Sequence, residues 1–234
     1  MDLLPPDTTL DERDRAAAVA LLPIGSFEQH GPHLPLSTDT VIAATLAQEI
    51  ATVYPVRRLP PITISCSHEH AAWPGTVSIS ATTLAAIIRD VAASLHSSGV
   101  TALVLVNCHG GNYVLGNVVQ EASLGPLRMA LFPGEPDWVE AREAAGLTTS
   151  ILSDMHAGEL ETSILLHAHP HLVRPHLEDS DRLADDRRHL LSRGLQAYTE
   201  SGVVGRPSLA SARKGQELLA SLVRSFAAYL GGDS

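Results

Sequence analysis

The run Ala102-Leu103-Val104-Leu105-Val106 constrains the fold more than any other stretch, because five consecutive apolar residues leave no solvent-facing side. A strand of this kind is covered on both faces, as parallel strands in α/β proteins are. Residues 19–24 (Val-Ala-Leu-Leu-Pro-Ile) repeat the pattern, and residues 127–132 read as another strand. In residues 59–65, Ile62 and Ile64 alternate behind Pro60-Pro61, and the prolines set the start of a further strand. Between the strands, apolar residues fall at helical spacing. Val41, Ala44, Thr45 and Ile50 do so across residues 38–53; Leu84, Ile87, Ile88, Val91 and Leu95 do so across 80–98, where Ser80 offers a cap. Helices are also expected over 112–124, 135–145 and 158–169. Two closing helices, 179–201 and 211–230, would be separated by residues 202–207, Gly-Val-Val-Gly-Arg-Pro. Alternation from end to end predicts an α/β chain with a mostly parallel central sheet and helices on both faces. No repeat, low-complexity tract or linker interrupts it, so a single domain over residues 1–234 is expected.

The net charge of −10 argues against nucleic acid or an anionic membrane surface as a partner. No apolar run approaches the length of a membrane span. The acidic, proline-bearing opening lacks the cationic and apolar segments of a secretion signal. Cys66 and Cys108, without short paired spacing, suggest no disulfide framework. The expectation is a cytoplasmic enzyme. His167, His169, His171 and His176 surround a proline-broken segment and read as a solvated or capping set at a helix end.

Chemistry-bearing residues gather in three places. Just past the first strand, Glu28-Gln29-His30 is followed by Asp39, a mix of carboxylate and imidazole that suits hard-to-borderline divalent ions. Past the apolar run stands Asn107-Cys108-His109-Gly110-Gly111-Asn112, whose glycines let the backbone turn sharply. Both loops belong to the carboxyl edge of a parallel sheet, where such folds build their crevices. A phosphate cradle at the glycines lacks the P-loop lysine and the Gly-x-Gly-x-x-Gly spacing. The third place is Asp154-Met-His156-Ala-Gly158-Glu159-Leu-Glu161-Thr-Ser163. On a helix, residues two apart point about 200° from each other, so Glu159 and Glu161 cannot both enter one site. Geometry alone does not choose between them. His156, ahead of the helix, suits proton shuttling near neutral pH.

Five stretches in order resemble the creatininase (creatinine amidohydrolase) family. They are Pro23-Ile-Gly-Ser-Phe-Glu28-Gln-His30-Gly, Thr38-Asp39, Pro74-Gly75-Thr76-Val-Ser78, Asn107-Cys-His109-Gly-Gly-Asn112 and His156-Ala-Gly158-Glu-Leu-Glu161-Thr-Ser163. The resemblance implies a three-layer α/β sandwich, homo-oligomers that are often hexamers, and hydrolysis of an amide-type C–N bond by metal-activated water. The substrate would be a cyclic amide, a formamide or a peptide end. It implies one or two divalent ions (Zn, Mn or Fe), one held by Glu28, Asp39 and His109, and the second by His30 and the shared Asp39. By the same resemblance His156 is the proton-transferring histidine and Glu161, rather than Glu159, the functional helix glutamate. Creatinine-cleaving members carry a metal-ligating glutamate where Gly111 stands here, which leaves a ligand vacant for which Glu161 is the candidate. The Gly-Gly version is similar to the branch containing the formamide hydrolase of archaeal flavin biosynthesis and the mycofactocin precursor peptidase. Cys108 replaces a customary glycine, either as a soft bystander or as an oxidisable group.

Ser67-His68-Glu69-His70 follows the second strand at the same edge, so Glu69 and His70 are candidate substrate contacts, with Trp73 a pocket wall or a packing residue. No Gly-x-Ser-x-Gly elbow supplies a covalent nucleophile, since Gly25-Ser26-Phe27-Glu28 breaks the pattern. One rival reading is a non-catalytic metal-dependent sensor or structural module, though closed structural zinc sites favour cysteine-rich sets. The other is a nucleotide-dependent transferase using the glycine turn.

Overall fold

The computed structural model describes residues 3–175, 177 and 179–231. Its strands are β1 (Val19–Ile24), β2 (Val56–Arg58), β3 (Ala102–Asn107) and β4 (Arg128–Phe132). They form one parallel sheet in the order β2-β1-β3-β4. The helices are α1 (Thr9–Arg15), α2 (Thr38–Val53), α3 (Ala81–Ser97), α4 (Val114–Ala122), α5 (Glu135–Ala144), α6 (Glu159–Ala168), α7 (Leu190–Arg193) and α8 (Ala212–Ser225).

The two most apolar strands lie side by side at the centre, and every residue of β1 is buried. Because side chains alternate along a strand, each central strand feeds two cores. Val19, Leu21, Val104 and Val106 pack against Leu46 and Ile50 of α2, Ile164 of α6 and Leu218 and Leu222 of α8. Ala20, Leu22, Leu103 and Leu105 pack against Leu84 and Ile88 of α3 and Leu115 and Val118 of α4. The expected three layers are thus present. A fully buried Leu such as Leu21, Leu103 or Leu105 contributes about 1.5–3 kcal/mol relative to exposure.

The strand expected over residues 59–65 differs. The regular strand comes earlier, at β2, and residues 59–65 only continue beside β1 through Leu59 N–H to Leu21 O and Ile62 N–H to Pro23 O, both 2.9 Å. Pro60 and Pro61 have no N–H to give, so the ladder breaks there. The helix expected over residues 179–201 is also absent. Only the short α7 and a 3₁₀ turn at Leu195–Ala197 form, and residue 182 pairs instead with residue 205. This stretch is dense in charge and fully buries only Leu195 among its large apolar residues, so a long helix would have no face to pack. Conversely α1 forms within the acidic opening, closed by a Thr8–Asp11 capping box.

His169 is buried rather than solvated, 2.8 Å from the Thr45 hydroxyl, while His167 and His171 are exposed as expected. His176, grouped with them in the sequence, lies outside the described residues. Since the sheet is parallel, the loops leaving β1 and β3 emerge at the same edge, and the N-termini of α2 and α6 face them.

Candidate active site

At that edge the chain collects carboxylates and imidazoles out of water. Glu28, in the loop after β1, is fully buried, and neither of its carboxylate oxygens has a hydrogen-bond partner. Burying a carboxylate whose oxygens accept no hydrogen bond is strongly unfavourable, so this pair of oxygens is suited to a cation. Asp39, in the first turn of α2, accepts from the Ser26 hydroxyl at 2.8 Å. It lies 3.0 Å from both His30 Nε2 and His109 Nδ1. His109 Nδ1 is also 3.3 Å from Glu28 Oε1. Glu28, Asp39 and His109 therefore present ligand atoms within 4.8 Å of one another, and so do His30, Asp39 and Glu161. Asp39 is common to both groups. Glu28, His30 and His156 form a further such group.

Backbone contacts decide which ring nitrogens carry protons. His30 Nδ1 lies 3.0 Å from the Glu28 carbonyl and His109 Nε2 lies 2.6 Å from the Cys66 carbonyl. His156 Nε2 lies 2.6 Å from the Gln29 carbonyl. A carbonyl only accepts, so each of these nitrogens is N–H, and in the neutral ring the opposite nitrogen turns a lone pair into the site. His156 Nδ1 is 3.8 Å from Glu28 Oε1.

The shared charge separates the proton affinities. Burial alone would strip the His30 proton, but the charge and hydrogen bond of Asp39, helped by Glu161 and Glu28, hold its pKa up at about 9. Burial works the same way on His109, and Glu28 and Asp39 outweigh it, raising that group too. Burial raises Asp39, but His30 and His109 hold it well below its ordinary range. Burial and the neighbouring His30 and His70 push His156 down, so its ring is neutral. Burial pushes Glu161 up to about 8, with Asp39 adding to the rise and His30 opposing it.

Two glutamates of α6 face different neighbours, as helical geometry requires. Glu161 accepts from Ala157 N–H at 2.6 Å and lies 4.0 Å from His30 Nε2. Ala157 has a left-handed φ of 51°, a strained conformation for a residue with a Cβ, and its N–H is the one directed at Glu161. Glu159 instead meets Lys214 Nζ at 2.6 Å and Thr149 N–H and hydroxyl at 2.9 and 2.6 Å. Asp154 caps the helix, accepting from Glu159 N–H and Leu160 N–H and pairing with Arg142. A side chain at Gly158 would strike that cap, with a Cβ 2.0 Å from Asp154 Oδ1.

A cavity of about 280 Å³ opens on these groups, lined also by Glu69, His70, Met155 and Arg187. Glu69 and His70 thus stand where the sequence expectation put them. Trp73 does not line this cavity; its indole N–H donates to the Glu200 carbonyl at 3.3 Å. Cys108 is half-buried, and burial with Asp39 and Glu161 nearby raises its pKa well above the ordinary thiol value. At Gly111 an added Cβ would lie 2.1 Å from Glu69 Oε1 and 2.4 Å from His109 Nε2, so Glu69 fills the space a side chain there would need. Sequence reasoning assigned no role to Gln29, Ser26, Asp154 or Arg187. Gln29 stands inside the Glu28-Gln29-His30 motif, whereas no local pattern marks Asp154, four residues ahead of the N-cap Gly158, as the partner of the α6 N–H groups.

A family model described as creatinine amidohydrolase (creatininase) matches residues 7–230. The mycofactocin precursor peptide peptidase of Mycolicibacterium smegmatis is 35% identical over 219 residues, covering 89% of this chain and 83% of that protein. The creatinine amidohydrolase of Pseudomonas putida is 26% identical over 186 residues, covering 71% and 68%. A crystal structure of creatinine amidohydrolase (creatininase) superposes with a TM-score of 0.81 at 23% identity, covering 98% of this chain and 96% of that one. A creatininase variant in a Zn–Zn form gives a TM-score of 0.80 at 21% identity, covering 98% and 97%. At those identities the two structures speak for the fold.

Proposed function

The chain belongs to the creatininase family and is a metal-dependent amidohydrolase, and from that premise we propose that it cleaves an amide bond at the end of a peptide. In this reading Glu28, Asp39 and His109 hold one divalent ion and His30, Asp39 and Glu161 a second. The observation that carries the metal site is Glu28: a fully buried carboxylate without a hydrogen-bond partner, in a ligand group that shares Asp39 with a second one. The donor set of carboxylates and imidazoles suits zinc, manganese or iron(II).

Bound there, the ions supply Lewis acidity for the scissile carbonyl and bring the pKa of water towards neutrality. The chain's residues do the rest. His156, tethered through Nε2–H to the Gln29 carbonyl, presents the Nδ1 lone pair that takes a proton from the attacking water. It then delivers that proton to the leaving nitrogen, which departs as an amine. The Ala157 N–H keeps Glu161 turned inward.

Three features support a peptide over creatinine. Gly111 leaves no room for the glutamate that creatinine-cleaving members carry, because Glu69 occupies the space. The peptidase relatives match at 35–36% identity, against 26% for the creatinine amidohydrolase. A second cavity of about 480 Å³, walled by Ile42, Trp138, Ile151 and Leu160, shares His109 and Glu161 with the first and extends the room for substrate. The same reading includes a cytoplasmic location and a homo-oligomer, the latter supported by exposed Leu191 (78%) and Tyr113 (62%), which line one surface pocket.

The test is to reconstitute metal-free protein with zinc, manganese or iron(II) and offer N-acetylated peptides, an N-formylamine and creatinine. Peptide cleavage that a chelator abolishes is expected. Turnover of creatinine alone would refute the peptide assignment. Tight metal binding with no turnover of any of the three would favour the sensor reading, although the open cavity beside the carboxylates argues for substrate access.

A further inference from the structure

His30, His109 and His156 have their outer nitrogens on backbone carbonyls, so that each ring in its neutral form turns a lone pair inward. His70 is the exception. Its Nδ1 lies 2.8 Å from the side-chain Nε2 of Gln29. The two ends of that amide are identified by its other partners. Gly31 N–H, which only donates, lies 2.9 Å from one end, which must be Oε1. The Gly202 carbonyl, which only accepts, lies 3.2 Å from the other, which must be Nε2. Gln29 therefore donates to His70 Nδ1, and a neutral His70 carries its proton on Nε2. That nitrogen is on the site side of the ring, 3.2 Å from Glu28 Oε1, although the carboxylate oxygen makes no hydrogen bond with it. A protonated nitrogen has no lone pair for a metal, and this N–H is left directed at whatever occupies the cavity His70 lines.

We propose that His70 is a catalytic hydrogen-bond donor, locked by Gln29 as the Nε2–H tautomer and aimed at the substrate oxygen that gains negative charge during hydrolysis. The inference rests on the amidohydrolase reading. No proton changes hands at His70: the N–H remains on the ring and its hydrogen bond strengthens as the carbonyl oxygen becomes an oxyanion. Donors preorganised in a water-poor site act mainly on the transition state. Gln29 is the positioning residue, and its link to Gly202 ties the tautomer to a loop distant in sequence.

The decisive measurement is made on whole protein loaded with cadmium-113 and labelled with nitrogen-15. His30 and His109 should show scalar coupling between a ring nitrogen and cadmium, while His70 shows none and reports a protonated Nε2. Coupling at His70 Nε2, or a proton on its Nδ1, would overturn the proposal. Kinetics supply the second arm, using the substrate class the wild-type protein turns over among those offered above. His70→Ala should lower kcat by about 10²–10³-fold, the range for losing one oxyanion donor, with metal content and KM unchanged. His70→Gln, whose amide N–H reaches towards the Nε2 position, should restore part of it. Gln29→Glu, which can only accept, should move the His70 proton to Nδ1 and lower kcat as well. Unchanged kcat in His70→Ala refutes the donor role. A wild-type protein inert to peptides but active on another amide refutes the peptide assignment and leaves this one standing.

Discussion

Replacing Glu159 and Glu161 separately by alanine should damage different properties, although the two residues are one position apart from being neighbours on α6. Glu159 is fully buried and accepts from Lys214 Nζ at 2.6 Å, Thr149 N–H at 2.9 Å and the Thr149 hydroxyl at 2.6 Å. Removing one partner of a buried ion pair costs about 3–5 kcal/mol, because the other charge is stranded. Lys214 is 22% exposed and keeps the Leu209 carbonyl at 2.7 Å, so water relieves part of that cost. The lower end, about 3 kcal/mol, is therefore expected for Glu159→Ala. In a chain of 234 residues this corresponds to a Tm lower by about 6–12 °C, at about 2–4 °C per kcal/mol. Turnover per folded, metal-loaded molecule should be nearly unchanged. Glu161→Ala should show the reverse, a modest Tm change with loss of metal and of turnover. Calorimetry beside metal analysis and steady-state kinetics reads both. The reasoning fails if Glu159→Ala melts within about 1 °C of wild type, the range of an inconsequential surface change, or if its activity loss matches that of Glu161→Ala. Acid adds a signature. Burial raises the Glu159 carboxyl, but bonds from Lys214 and Thr149 outweigh it and lower its folded pKa below 4.5. A depressed folded pKa means the stabilisation is complete above the ordinary value and lost as pH falls through the lower folded one, so Glu159→Gln should flatten the acid limb of the stability curve.

His109→Ala and Asp39→Ala should each abolish hydrolysis and most metal binding, measured as metal per subunit after dialysis; an active metal-free variant would end the mechanism. His156→Ala should keep its metal while kcat falls by about 10²–10⁴-fold, the range for a lost general acid–base, and unchanged turnover would remove its assigned role. Gly111→Ala should destabilise by about 1–3 kcal/mol by overpacking. Glu69→Ala should relieve only part of that, since the Cβ would still meet His109 Nε2 at 2.4 Å and the Cys66 carbonyl at 2.8 Å. Equal melting temperatures for Gly111→Ala and wild type would show that the loop shifts freely.

Much of the fold was legible in the chain because strand and helix announce themselves by local periodicity. The apolar runs of β1 and β3 required cover on both faces, and two cores on opposite sides of the sheet provide it. A parallel sheet then obliges the β1 and β3 loops to meet, which brought Glu28, His30, Asp39 and His109 together as their order suggested. What the local pattern could not encode was the identity of distant partners. Lys214, 55 residues further on, occupies Glu159, and Gly202 orients the Gln29 amide that sets the His70 proton. His169 is buried because Thr45 of α2 comes to lie against it. Residues 179–201 carry charge at positions that look helical, yet with no apolar face to bury they stay irregular, and from them Arg187 and Leu190 line the cavity. Periodicity tells a segment which side is apolar. Which polar atom it meets depends on where the packed helices and loops finally bring another part of the chain, and only the tertiary structure decides that.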